Sequence, residues 1–127
     1  MTAPRIEQVI PVLPVANLDR GVEFYGKLGF TLAWSHQLAP ERPRIGSVRY
    51  GAVELFLTEH RVAPMGAVVY ANVTGLDALA AQAQAAGLVA EYGPVDQPWG
   101  QREVGYRDPD GNLLRLGEPV QADSKLP

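Results

Sequence analysis

The sequence predicts an α+β protein built from two halves of the same plan. Three observations carry that expectation. The stretches "VANLDRGVEFYGKLGF" from Val15 and "VTGLDALAAQAQAAGL" from Val73 superpose without a gap, matching Val15 with Val73, Leu18 with Leu76, Asp19 with Asp77, Gly29 with Gly87 and Phe30 with Leu88. Such self-similarity is the mark of a repeated structural unit. Each half opens on a run of β-branched residues that stops just before a helix cap, and each continues with three further strand-like runs. A four-stranded sheet with a helix on one face must cover its other face or bind something with it. Two such sheets facing each other form a cleft.

The elements follow in order. "EQVIPVLPV", from Glu7 to Val15, is the first strand. Asn17 is the N-cap of the first helix, with Asp19 in its first turn. Leu18, Val22, Tyr25 and Leu28 recur at helical spacing, and Gly29 ends the helix in a left-handed conformation. Strands are expected near 30–36, 45–51 and 53–58. The second half repeats this. "GAVVYANV" is its strand, Thr74 its N-cap, and Leu76, Leu79, Ala83 and Ala86 its apolar helix face, with Gly87 as the stop. Strands are expected near 88–92, 101–107 and 112–117. The last pair is joined by "DPDG", in which Pro109 pre-sets a turn and Gly111 tolerates positive φ.

The 127 residues suit one domain, with module one over about 6–60, module two over about 66–118 and a polar, fraying tail at 119–127. A content of 46% hydrophobic and 20% charged residues is that of an ordinary globular protein. No apolar run reaches the ~18 residues of a membrane helix. The N-terminus lacks signal-peptide regions, so the expected location is cytoplasmic, with no membrane partner. Without cysteine there is neither a disulfide framework nor thiolate chemistry. The net charge of −3 argues against nucleic acid as a partner and is compatible with a cationic ligand.

Two stretches, "VIPVLPVANLDRGVEFYGKLGF" from Val9 and "QPWGQREVGYRDPDGN" from Gln97, resemble the vicinal oxygen chelate superfamily (glyoxalase, bleomycin resistance protein, extradiol dioxygenase). They are most similar to its bleomycin resistance protein branch. The resemblance spans about Ile6 to Glu118. It implies two βαβββ modules whose curved sheets are paired around a cleft, and a homodimer. In the bleomycin-binding branch the N-terminal strand crosses to the partner chain at a proline hinge, a position matched here by Pro11. Two clefts at the dimer interface then each hold one basic glycopeptide drug, without chemistry. One departure is Gln101, an extra residue between Gly100 and Arg102 that could shift the loop.

Enzymes of the superfamily hold a divalent ion with His and Glu or Gln on the first and last strands of each module. The resemblance places those four positions at Ile10, Glu54, Val68 and Arg115. Only Glu54 can ligate a metal, and the Arg115 cation would repel one. The neighbours Pro11, Val9, Ala67 and Val69 are no better. His60 lies roughly 20 Å from Glu54 along a straight strand, whereas His36 could approach it. The bland alternative is two surface loop histidines. The expectation is therefore no metal, no cofactor, no catalytic residue and a small-molecule ligand.

Strand alternation places Glu54 and Phe56 on one face, opposite Val53, Leu55 and Leu57. The resemblance implies that the family's ligand positions point into the cleft, so Glu54 and Phe56 are expected to line it, and with them Ile10, Val68, Tyr70 and Arg115. Trp99, with Gly100, supplies a stacking surface for a flat ring by family resemblance. Trp34 stands at the cleft mouth or packs on the helix. The alternatives are specific. Phe56 and Tyr70 are core or interface residues, Glu54 and Arg115 pair with each other, and Trp99 buries itself in the partner subunit. The segment Gln37–Gly46 is a mobile lip or a plain connector, and Arg102 and Arg107 brace the Trp99 loop. The function these readings favour is non-catalytic sequestration of a flat, cationic or amphipathic small molecule of the bleomycin type. The alternatives are a metal-dependent lyase, isomerase or dioxygenase, and a metabolite-binding module with no role in resistance.

Overall fold

In the computed structural model, which describes residues 3–4, 7–60 and 66–120, the strand–helix–three-strand plan occurs twice. Module one comprises β1 (Val12–Pro14), α1 (Leu18–Lys27), β2 (Thr31–Gln37), β3 (Arg44–Tyr50) and β4 (Val53–Thr58). Module two comprises β5 (Val68–Asn72), α2 (Leu76–Ala85), β6 (Tyr92–Asp96), β7 (Gln101–Arg107) and β8 (Leu113–Pro119). The sheets have the equivalent orders β1-β4-β3-β2 and β5-β8-β7-β6. In each, the first strand runs parallel to the last and the other pairs are antiparallel. This is the expected α+β architecture.

Helix α1 forms as its local signals dictate. The Asn17 side chain accepts from the Arg20 N–H at 2.9 Å, and Leu18, Phe24 and Tyr25 are buried. Helix α2 is capped differently from expectation. Gly75, not Thr74, is the N-cap residue, at φ 80°, and no side chain of its own caps the turn. The Glu118 carboxylate, from β8, accepts from the Gly75 and Leu76 N–H groups instead. Module one has the same device, because Glu59 accepts from the Leu18 N–H at 2.7 Å. The duplication extends further. Arg44 binds Asp19 in the first turn of α1, and Arg102 binds Asp77 in the first turn of α2.

Three other expectations need correction. The first strand is short, since regular pairing begins at Val12 and Val9 is 81% exposed. The strand expected at 88–92 lies at Tyr92–Asp96. Gly93 and Pro94 look like breakers, but β6 is an edge strand, where a missing N–H is tolerated. Ala86, expected on the buried face of α2, is exposed. Of the expected tail, Pro119 ends β8 and the Val120 N–H donates to the Gly100 carbonyl; residues 121–127 lie outside the described ones.

One apolar cluster runs through both modules, from Leu13, Tyr25 and Leu57 to Val104, Tyr106 and Leu116. Between them the "RDPDGN" turn does more than close a hairpin. Asp108, Asp110 and Asn112 are buried. Asp108 accepts from the Tyr25 hydroxyl at 3.0 Å. Asp110 accepts from the Ala16 N–H and from Arg20. The Asn112 amide donates to the Pro14 carbonyl at 2.9 Å. The turn is therefore a polar clamp from module two onto the β1–α1 junction of module one. At another place between the modules a cavity of about 400 Å³ opens, lined by residues that include Phe30, Tyr50, Val53, Val73 and Leu79. It carries no charged side chain and none of the candidate site residues.

Candidate functional site

The face of each sheet turned away from its helix is set by strand alternation and by the register. In sheet one, Trp34, Ser47 and Phe56 lie side by side across β2, β3 and β4. Gly46, on the other face, lies against Leu18 of α1. Trp34 is thus on the open face and does not pack on the helix. It meets Phe56 edge to face at 5.2 Å and is 42% exposed. Glu54 shares this face. Its carboxylate accepts from the Ser47 hydroxyl and from Arg49 at 2.9 Å. Leu38 to Pro43 form a turn-bonded connector between β2 and β3, in which the Gln37 amide donates to the Pro40 and Arg42 carbonyls.

The open face of sheet two is organised around a residue that sequence reasoning missed. Glu103 is fully buried, and four donors converge on it. Oε1 accepts from Arg115 Nη2 at 2.9 Å and from the Tyr92 hydroxyl at 3.2 Å. Oε2 accepts from the Tyr70 hydroxyl and from Trp99 Nε1, both at 3.0 Å. Arg115 also donates through Nε to the Tyr92 hydroxyl and lies over the Tyr70 ring, 5.2 Å from its centroid. Burial alone pushes the Glu103 carboxyl up. The bonds from Arg115, Trp99 and Tyr70 outweigh burial and hold it below the ordinary carboxylate range.

Two sheet glycines make this arrangement possible. A side chain at Gly105 would run into the Tyr92 ring, and one at Gly117 into the Tyr70 hydroxyl. Both tyrosines therefore lie down on the sheet and point their hydroxyls at Glu103. Gly117→Ala is expected to lift Tyr70 and to cost about 2 kcal/mol, as other overpacked sites do. A lowered urea midpoint with a shifted tryptophan emission would register it; an unchanged midpoint would refute the close fit.

Trp99 sits in the β6–β7 turn. The Gly100 N–H donates to the Gln97 carbonyl and the Gln97 N–H to the Gln101 carbonyl. Pro98 and Gly100, the latter at φ 90°, frame the ring. Gln101 is the first residue of β7. Arg102 ties Asp96 to Asp77, and Arg107 binds Glu91 and the Gly111 carbonyl. Both arginines brace the hairpin. The Trp99 ring is 60% exposed although its N–H is anchored.

The structure thus brings Trp99, Gly100, Tyr70 and Arg115 together on one open face and Trp34, Glu54 and Phe56 on another. Among the described residues no hydrogen bond or ring contact joins the two faces. The Glu54–Arg115 pairing is overturned, because each ion pairs within its own module. The Pro11 carbonyl accepts from the Phe56 N–H, and from Val12 the chain pairs with its own β4.

A family model described as the Glyoxalase/Bleomycin resistance protein/Dioxygenase superfamily matches residues 5–116. The chain belongs to that superfamily. An uncharacterised protein of Mycolicibacterium smegmatis (strain ATCC 700084 / mc(2)155) is 32% identical over 113 residues, covering 87% of this chain and 91% of that protein. Among solved structures, TnmS3, an antibiotic binding protein from Streptomyces sp. CB03234, is 26% identical with a TM-score of 0.74, covering 93% of this chain and 100% of that one. A bleomycin-binding protein complexed with bleomycin is 24% identical with a TM-score of 0.71, covering 91% and 100%. A bleomycin resistance determinant encoded on the transposon Tn5 is 22% identical with a TM-score of 0.75, again covering 91% and 100%. These last two likenesses concern the fold.

The superfamily includes enzymes, so the metal positions matter. Ile10 and Val68 are aliphatic, Arg115 is committed to Glu103, and Glu54 is committed to Ser47 and Arg49. His36 does not reach Glu54. It lies opposite Ile45, whose other partner is Thr58, four residues along β4 from Glu54 and so roughly 13 Å away. His60 pairs with the Thr58 hydroxyl. This donor set does not fit a divalent ion.

Proposed function

We propose that the chain is a non-catalytic binding protein that sequesters a flat, amphipathic or cationic small molecule, with an antibiotic of the bleomycin type as the first candidate. One observation carries this reading. Trp99 presents an exposed ring whose orientation is held by an N–H bond to a buried carboxylate. An exposed aromatic fixed in this way is a stacking surface that needs little ordering when a ligand arrives. A cationic group would be held by ring faces, because the carboxylates of the two open faces, Glu54 and Glu103, are each already paired. The donor set at the superfamily's metal positions supports binding without chemistry.

The same reading makes the protein a homodimer. Two open faces with exposed Trp34, Val68, Tyr70 and Trp99 are then brought together between copies, with Pro11 as the hinge of an exchanged N-terminal arm. Bleomycin titrated at micromolar concentration is expected to quench tryptophan fluorescence and to release or absorb heat. Silence in both measurements removes the drug identity. Trp99→Ala is expected to weaken binding about tenfold or more, the size of one stacking contact. If binding is unchanged while the dimer weakens, Trp99 is an interface anchor and the site is wrong.

A further inference from the structure

We propose that Arg115 reads the edge of the ligand, so that the flat molecule lying on Trp99 carries a carboxylate or carbonyl oxygen there, and that Glu103 is the positioning residue holding ring and guanidinium side by side. This deepens the reading above and rests on Trp99 as the stacking surface.

The argument starts from hydrogen-bond capacity. A carboxylate offers about four acceptor sites, and Glu103 accepts from Arg115, Tyr92, Tyr70 and Trp99. It has nothing left for a ligand cation. Arg115 is different. Its Nε donates to Tyr92 and its Nη2 to Glu103, so one edge of the fork is used. Nη1 has no hydrogen-bond partner among the described residues, and the side chain is 34% exposed. The guanidinium stays charged at any working pH. What this face still offers is therefore a cationic donor, not an acceptor.

Position follows from the same carboxylate. Trp99 Nε1 and Arg115 Nη2 are each one hydrogen bond from Glu103, on its two different oxygens. The indole ring and the guanidinium are therefore neighbours with fixed relative orientation. A planar ring stacked on the indole places its rim near Nη1. A rim oxygen gains a charge-assisted hydrogen bond there, whereas a rim ammonium meets a like charge.

Two probes with one ring and opposite rims test this: 2-naphthoate and 2-naphthylmethylammonium, titrated into the full chain while the two tryptophan indole N–H resonances are followed. Naphthoate is expected to shift the Trp99 resonance and to bind about tenfold tighter than the ammonium. Arg115→Lys keeps a cation against Glu103 but lacks Nη1. It should weaken naphthoate about tenfold, leave the ammonium unchanged and leave the free Trp99 resonance in place. Glu103→Gln should move that resonance without any probe and weaken both probes. The edge assignment is overturned if the ammonium binds as tightly as naphthoate, or if Arg115→Lys leaves naphthoate unaffected. If only the ammonium shifts Trp99, the stacking surface stands and the edge assignment falls. If neither probe acts at millimolar concentration, both fall.

Discussion

Glu103→Ala is expected to lower stability by about 3 kcal/mol and to release Trp99 from its fixed orientation. The size comes from what is left behind. Arg115 loses its ion pair, and the Tyr70, Tyr92 and Trp99 donors lose their common acceptor. Stranded polar groups cost more than the bonds they once made were worth. The partial exposure of Arg115 keeps the figure from being larger. Urea unfolding measures the loss, and a red-shifted, less anisotropic tryptophan emission reports the ring. A loss under about 1 kcal/mol would show that the cluster is not what holds this face. Acid gives a second view of the same bond set. The folded carboxyl lies below its unfolded value of about 4.3. Its contribution is therefore complete above that pH and is lost as pH falls through the folded value. The variant should show a shallower loss of stability over that acid range.

Asp108→Ala is expected to cost a similar amount, about 3 kcal/mol, for a different reason. Its two oxygens accept from the Tyr25 hydroxyl, the Asn112 amide and the Asp110 and Asn112 N–H groups. Only the Tyr25 bond crosses between modules, but the others shape the turn that delivers Asp110 to Arg20 and Asn112 to the Pro14 carbonyl. Tyr25→Phe removes only the crossing bond and should cost about 1 kcal/mol. Equal losses for the two variants would mean that the turn keeps its shape without Asp108. A loss near zero for both would mean that neither the Tyr25 bond nor the bonds Asp108 makes within the turn are needed to join the modules.

What the sequence disclosed and what it hid divide along the range of the interaction. Helix α1 was legible because its cap, Asn17, and its apolar spacing are local. The cap of α2 was not, because Glu118 supplies it from the far end of the chain. Strand β6 was misplaced because Gly93 and Pro94 disfavour a strand unless it lies at an edge, and edge position is a tertiary fact. Tyr92 was lost with it. Glu103 was within reach. Val104 and Tyr106, both apolar and buried, alternate with it, so strand alternation alone puts Glu103 on the face opposite the core. Gly105 and Gly117, inside strands, also signal that something lies close over the sheet. The arginine clamps on Asp19 and Asp77 follow the same offset as the helices, so the repeat carried more than its helical part. The separation of the site residues into two faces was hidden, because alternation assigns a side of a sheet and not which sheets meet.

Strand β2 has a consequence for handling the protein. It lies at the edge of its sheet, all seven of its residues are exposed, and Leu32 and Trp34 are among them. An unpaired edge of that length and character is a template for indefinite strand addition. The pairing with β3 shifts between Leu32 and Trp34, so the run of outward backbone groups is broken at its most apolar point. Such an irregularity is one of the devices by which an edge strand limits open-ended pairing.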